Sequence, residues 1–163
     1  MALKSDRNEI QTDISFFMNE EATRGGVVSL SAGGSGAAMD QGAALATYTA
    51  ASGTRPLGIL LNDMVNLDLT RQHINQHKDE VQKGGKVTIL RKGYVVTSSL
   101  ACATAPSAGD LAFVTYDGDI CNSGTSLADQ TGNLQVGVFL SSMDEDNYAK
   151  VEINLPNQPA PSA

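Results

Sequence analysis

Apolar and polar side chains alternate along much of this chain with a period of two residues. The alternation is clear in residues 64–70, 86–91 and 148–155, and it is typical of strands that bury one face. Residues 57–61 are continuously apolar over the length of a strand, which favours a strand buried on both faces. The pattern therefore predicts β-structure for most of the chain.

Glycine-rich and polar turns separate these segments at regular intervals. Asp117-Gly118 lies between two such segments and predicts a hairpin, because glycine adopts positive φ at little cost. Lys92-Gly93 is predicted to turn between two strands. Some ten short strands indicate an all-β domain, a compact β-barrel or sandwich, over residues 25–155. Residues 156–163 hold too little apolar bulk to fold and are predicted to be a disordered tail.

Parts of the strand pattern occur twice. Three segments resemble a later one: 27–29 resembles 95–97, 46–48 resembles 114–116, and 57–64 resembles 136–143. A duplicated β unit and chance similarity among short strands both explain these pairs. The repeated positions carry strand formers and turn glycines rather than acids, bases or nucleophiles, so this regularity concerns the scaffold.

The first 24 residues differ from the rest of the chain and are predicted to be an extended N-terminal arm, although periodicity alone also permits a helix. Two interpretations of its apolar side chains remain open. They pack on the protein's own core, or they dock on a partner, since large apolar groups near a mobile terminus are costly unless covered. The predicted partner-binding residues of the arm are Ile10, Ile14, Phe16, Phe17 and Met18.

Composition narrows the classes of function. The net charge of −7 argues against direct nucleic-acid binding, which depends on clustered Lys and Arg. No apolar run approaches the roughly 18 residues of a membrane span, and the N-terminus lacks the apolar core of a signal peptide. We therefore expect neither membrane insertion nor export. Cys102 and Cys121 are the only cysteines, and in a cytosolic product such a pair is more typical of free thiols than of a disulfide.

No group of residues in the sequence forms a convincing catalytic or metal site. His73 and His77 have helical metal-ligand spacing, but no Glu follows His73 and the segment is typical of a loop. Residues 144–146 are acidic but lack the spaced ligands of a calcium loop, and a hairpin turn explains them better. The sequence thus predicts a protein without enzymatic activity, cofactor or metal.

Several segments together resemble one protein family. They are residues 13–20 with 24–28, the strand patterns at 57–60 and 136–139, and the run 84–95. Over most of residues 10–155 the chain is similar to the capsid decoration, or cement, proteins of tailed phages. The shared features are structural patterns rather than a catalytic signature.

This resemblance implies a virion protein that binds the outer surface of the expanded capsid after assembly in the host cytoplasm. Its implied partners are the major capsid protein, which it bridges to neighbouring copies, and further copies of itself in a dimer or trimer. The arm is the part expected to lie on the capsid. Two other functions remain open: a tail or fibre component, and a small ligand-binding β module, which the absence of Trp disfavours.

Overall fold

The computed structural model describes residues 3–32, 45–48, 56–63, 80–122 and 134–155. These ranges form strands and turns without an α-helix, and they include no helix that is long and apolar enough to cross a membrane. The strands are β1 (Leu3–Asp13), β2 (Phe17–Met18), β3 (Ala22–Thr23), β4 (Val27–Ala32), β5 (Leu45–Thr47), β6 (Pro56–Asp63), β7 (Glu80–Val81), β8 (Val87–Thr97), β9 (Leu111–Val114), β10 (Ile120–Cys121), β11 (Gln135–Phe139) and β12 (Ala149–Asn154).

Ten of these strands belong to one sheet. Nine follow the order β10-β9-β11-β12-β8-β6-β4-β5-β2, and β1 pairs with β8 outside this path. The strands β3 and β7 form a separate two-stranded sheet. The large sheet does not close on itself, so the sandwich fits better than the barrel. The predicted all-β fold of about ten short strands is confirmed.

Strand β8 pairs with three others. It pairs with β6 over residues 87–90, with β12 over residues 92–97, and with β1 over residues 89–97. The predicted turn at Lys92-Gly93 is therefore wrong, because one strand runs through it. Gly93 has a φ of +143°, which lets the strand bend without ending.

A row of paired residues crosses the sheet at this bend. Glu9 pairs with Gly93, Gly93 with Ile153, Ile153 with Gly137, and Gly137 with Ala112. A methyl group on Gly93 would overlap the carbonyl oxygen of Asn8, and one on Gly137 would overlap the carbonyl oxygen of Glu152. Both glycines are thus required by the close approach of the adjacent strand, as at the bends of curved sheets.

Apolar side chains form a core on each face of the sheet. Successive residues on one strand belong to different cores: Leu90 and Ile59 pack in the first, whereas Ile89 and Leu60 pack in the second. The alternation follows from the pleat of a strand, which directs neighbouring side chains to opposite faces. Continuous apolar runs in β6 and β8 therefore mark strands that are buried on both faces.

The residues that follow β1 cover the second face. Met18 is completely buried there, and Phe16 packs against the same cluster. Hydrogen bonds fix the backbone, with Met18 N donating to Gly85 O at 2.9 Å and Val87 N donating to Phe16 O at 3.0 Å. For Phe16 and Met18, the structure follows the interpretation in which they pack on the protein's own core.

The C-terminal half follows the pattern closely. Thr115 N donates to Asp119 O at 2.8 Å in the predicted hairpin, and Gly118 has the expected positive φ of 87°. The apolar residues predicted to share one face of the last strand are all buried: Ala149, Val151, Ile153 and Leu155.

Several sequence predictions lie outside the described residues. They are the strand at 64–70, the histidine pair His73 and His77, and the disordered tail at 156–163.

The repeated segments occupy similar environments but different places in the sheet. Ser29 and Thr97 are both fully buried, as are Ala46 and Val114. However, β4 pairs with both β5 and β6, whereas the pairings of β8 in the described residues join it to β1, β6 and β12 instead of β9 or β11. The similarity therefore reflects equivalent strand burial rather than a repeated pairing unit.

Replacing Gly93 with Ala is expected to detach β1 from β8. The new methyl group would meet the Asn8 carbonyl at a φ that L side chains rarely adopt, so we expect a loss of about 1–3 kcal/mol of stability. Urea denaturation measures this loss. Amide hydrogen exchange then tests whether protection is lost in residues 3–13.

Gly84→Ala is the matched control, since Gly84 also has positive φ but has no neighbour within 4 Å of the added methyl group. It carries the backbone strain without the overlap. Equal protection of β1 in the Gly93 variant and in this control would contradict the role assigned to Gly93.

Candidate interaction surfaces

The free edge of β1 is the first candidate interaction surface. Within the described part of the chain, β1 pairs with β8 alone. Every residue from Ser5 to Thr12 is exposed, so both faces of this strand are open to solvent. An edge strand presents unpaired backbone N–H and C=O groups to any strand that approaches.

The five predicted arm residues do not lie together on this surface. Ile10 has 63% of its surface exposed, more than any other large apolar side chain among the described residues, whereas Met18 has none exposed. Ile14, Phe16 and Phe17 are partly buried. Lys86 Nζ lies 5.7 Å from the centre of the Phe17 ring. The predicted cluster is therefore divided between an exposed edge and the second core.

Two lysines fasten the first half of β1 to the rest of the sheet. Lys4 Nζ donates to Asp144 Oδ2 at 3.0 Å and lies 4.0 Å from the centre of the Tyr148 ring. Lys150 Nζ donates to Asp6 Oδ2 at 3.3 Å and lies 4.0 Å above the Tyr94 ring. Such exposed pairs are weak individually, and the paired backbone of β1 and β8 contributes the rest of the attachment.

Asp144 organises the acidic turn as well as this contact. Its Oδ1 accepts hydrogen bonds from Asp146 N at 3.1 Å and Tyr148 N at 2.7 Å, and Asn147 has a φ of 62° within the turn. The backbone hydrogen bond from Tyr148, followed by the one from Lys4, lowers the pKa of Asp144 below its usual value. Residues 144–146 thus act as the turn that the sequence predicted.

The second candidate surface is an apolar patch on the outer side of the sheet, which we call the outer face. Val138 pairs with Leu111 on β9 and with Glu152 on β12, and Leu140 lies two residues further along the same strand direction. Leu111 is 46% exposed and Leu140 is 42% exposed, while Val138 is partly exposed. We define the outer face as Leu111, Val138 and Leu140.

The sequence pattern did not predict the outer face, because its strands carry apolar residues at odd and even positions alike. Residues 111–114 and 136–140 are almost continuously apolar, and this pattern predicts burial on both faces. The structure buries Ala112, Val114, Val136 and Phe139 but leaves the three outer-face side chains partly uncovered. A covering segment comparable to residues 14–22 is absent from this part of the described structure.

The remaining candidate chemistry stays dispersed. Cys102 and Cys121 are not joined by a disulfide, and burial raises the pKa of the partly exposed Cys102 thiol. Among the described residues, no three His, Cys, Asp or Glu side chains are grouped closely enough to hold a metal ion. The most distinctive features of the described surface are therefore those suited to contact with another macromolecule: a free strand edge and an apolar patch.

The contact between Lys4 and Asp144 is expected to hold at neutral pH and to fail in acid. Asp144 has a lowered pKa in the folded protein, so its stabilising effect is present above its unfolded pKa and is lost as the pH falls through the folded value. Lys4 has a raised pKa, mainly through the hydrogen bond to Asp144, so its effect is lost only in strong alkali. Hydrogen-exchange protection factors for residues 3–8 check this.

Asp144→Asn is expected to lower these protection factors at neutral pH and to match the wild type in acid. Asp146→Asn is the control, since Asp146 uses its backbone N–H in the turn and interacts with Lys4 only through space. A difference between wild type and Asp144→Asn that persists unchanged in acid would contradict the contact.

Comparison with known proteins identifies the family to which this chain belongs. The family model for the phage structural cement protein (E217 gp24/Pam3 gp6) matches residues 8–154. A search of curated proteins found no match. The matched range begins within β1 and ends at the last residue of β12, so it includes nearly all of the large sheet. The chain belongs to the phage structural cement protein family.

Proposed function

We propose that this protein binds the outer surface of the phage capsid and bridges neighbouring major capsid proteins. A structural role in stabilising the capsid follows from the family. The observation that carries the finer proposal is the outer face, where two leucines remain 42% and 46% exposed next to the buried residues of β9 and β11. Exposed apolar groups that lie together commonly mark a protein contact.

The proposed action is additive binding without enzymatic activity. Each large apolar side chain that passes from water to a complete burial contributes about 1.5–3 kcal/mol before the entropic costs of association. The outer-face residues are already partly buried, so each contributes less than this. Repetition over a capsid lattice compensates for the small binding free energy of each contact, because a protein that contacts two neighbouring subunits is held by both.

The arm contributes to this proposal in a more limited way than the sequence indicated. Phe16 and Met18 support the second core, so deleting residues 1–24 would remove part of the core together with the arm. Ile14 and Phe17 keep partly exposed side chains and remain proposed capsid contacts. Ile10 lies on the free edge of β1.

Replacing Leu111 and Leu140 together with Asp is expected to weaken binding to expanded capsid shells by at least tenfold. The two carboxylates would place unpaired charge where the proposal buries apolar area, and desolvating such charge is costly. Co-sedimentation of purified protein with undecorated shells over a range of concentrations measures the affinity.

Leu30→Asp is the matched control, since Leu30 is 37% exposed and lies on β4, well removed from β9 and β11 in the strand order. Thermal unfolding confirms that each variant folds. Undiminished binding by the folded double variant would exclude the outer face as the capsid contact.

Decorated shells are also expected to resist disruption better than undecorated ones. Ligands that bind only the assembled state stabilise that state by mass action. Adding the protein should therefore raise the temperature at which purified shells dissociate into subunits. Light scattering during heating measures this temperature, with the folded double variant as the negative control.

Electron microscopy of labelled virions tests the alternative function as a tail or fibre component, since label confined to the tail would favour that function.

A further inference from the structure

The outer face lies at the acidic end of the described structure. Residues 100–122 and 134–155, which include β9 to β12, contain seven acidic side chains and one basic side chain, Lys150. The acidic residues are Asp110, Asp117, Asp119, Asp144, Glu145, Asp146 and Glu152. The other described residues contain seven acidic and seven basic side chains. The excess negative charge of the described residues is therefore concentrated in the strands that carry the outer face.

Glu152 lies directly beside the outer face, because it pairs with Val138 across β11 and β12. The side chains of directly paired residues share a face of the sheet, with Cβ atoms about 4.5–5.5 Å apart. Glu152 is exposed, and within the described ranges it forms no hydrogen bond or ion pair. Its carboxylate is thus available to a partner that covers the outer face.

The cations on this side of the sheet are engaged or more distant. Lys150 Nζ donates to Asp6 Oδ2 at 3.3 Å and lies 4.0 Å above the Tyr94 ring. Lys92 belongs to β8, so β12 separates it from the strands that carry Leu111 and Val138. The apolar patch is consequently bordered by a carboxylate that has no cation of its own.

We propose that the outer face binds a partner surface on which lysine or arginine side chains surround an apolar centre. The inference rests on the proposed function, and it names the chemistry of the capsid surface that the outer face contacts. Protein interfaces commonly combine an apolar centre with a polar rim. Complementary charge at the rim raises the rate of association more than the final affinity.

The same charges disfavour a second copy of this chain as the occupant of the outer face. Two outer faces that met would bring the acidic ends of both copies together, and like charges that face each other across an interface oppose association. A basic partner surface gains attraction from the same groups. Charge complementarity therefore selects a basic partner over a second copy.

Association kinetics with immobilised, undecorated capsid shells test the inference. The full-length protein is applied over a range of salt concentrations, and biolayer interferometry measures the association rate constant. The wild type is expected to associate more slowly as the salt concentration rises. At about 1 M salt the Debye length is only about 3 Å, so the electrostatic contribution to the rate should be almost lost.

Substitutions at Glu152 locate the charge responsible. Glu152→Gln removes the charge with little change of size, and Glu152→Lys reverses it. At low salt we expect Glu152→Lys to lower the rate constant by about threefold or more, with a smaller effect of Glu152→Gln. Both variants should approach the wild type at high salt.

Glu21→Lys is the matched control. It changes the net charge by the same amount, and Glu21 is exposed just before β3, in the separate two-stranded sheet. This variant should associate with shells nearly as fast as the wild type at every salt concentration. Thermal unfolding verifies that all three variants fold.

Three results would overturn the inference while the proposed function stands. They are binding to shells at a rate that neither salt nor Glu152→Lys changes, equal slowing by Glu152→Lys and Glu21→Lys, and faster association of Glu152→Lys. Equal slowing would assign the effect to net charge, and faster association would indicate an acidic partner surface. A wild type that does not bind shells at all would instead refute the proposed function, and this inference with it.

Discussion

The backbone pairing of β8 is the constraint on which the rest of the structure depends. This 11-residue strand joins β12 and β6, the two parts of the large sheet, and also holds β1. A strand has only two edges, so it can pair with three others only if two of them pair with different parts of its length. Here β6 pairs with residues 87–90 and β12 with residues 92–97. Gly93 permits this division, because the absence of a side chain lets the backbone of β1 approach closely while Gly93 also pairs with Ile153 of β12.

The sheet is covered more completely in some places than in others, and this difference decides which apolar side chains belong to the core and which remain on the surface. The segment after β1 covers the second face over β4, β6 and the first half of β8, with Met18 at its centre. Over β9 and β11 the described structure has no such cover, and Leu111 and Leu140 stay partly exposed. The chain has no Trp and few aromatic side chains, so its cores consist mainly of Val, Ile and Leu. The presence or absence of one short covering segment then decides whether a face of the sheet is buried.

The candidate surfaces rely on contact rather than on chemistry. The attachments of β1 at Lys4 and Lys150 combine hydrogen bonds to carboxylates with contacts to tyrosine rings. They hold the strand in place while its outer edge and Ile10 stay open to solvent. The chain belongs to the cement protein family, and stabilising a shell requires many modest contacts repeated in a lattice.

The sequence by itself determined the all-β class, the hairpin at Asp117-Gly118 and the buried face of the last strand, because period-two alternation and turn glycines act locally. It also indicated the family through patterns that span most of the chain. Only the tertiary structure decided that β8 runs through Gly93, that Met18 enters the core while Ile10 stays exposed, and that Leu111 and Leu140 lack cover. Each of these depends on which strands and segments become neighbours, and a local pattern of apolar residues carries no information about pairing between distant parts of the chain.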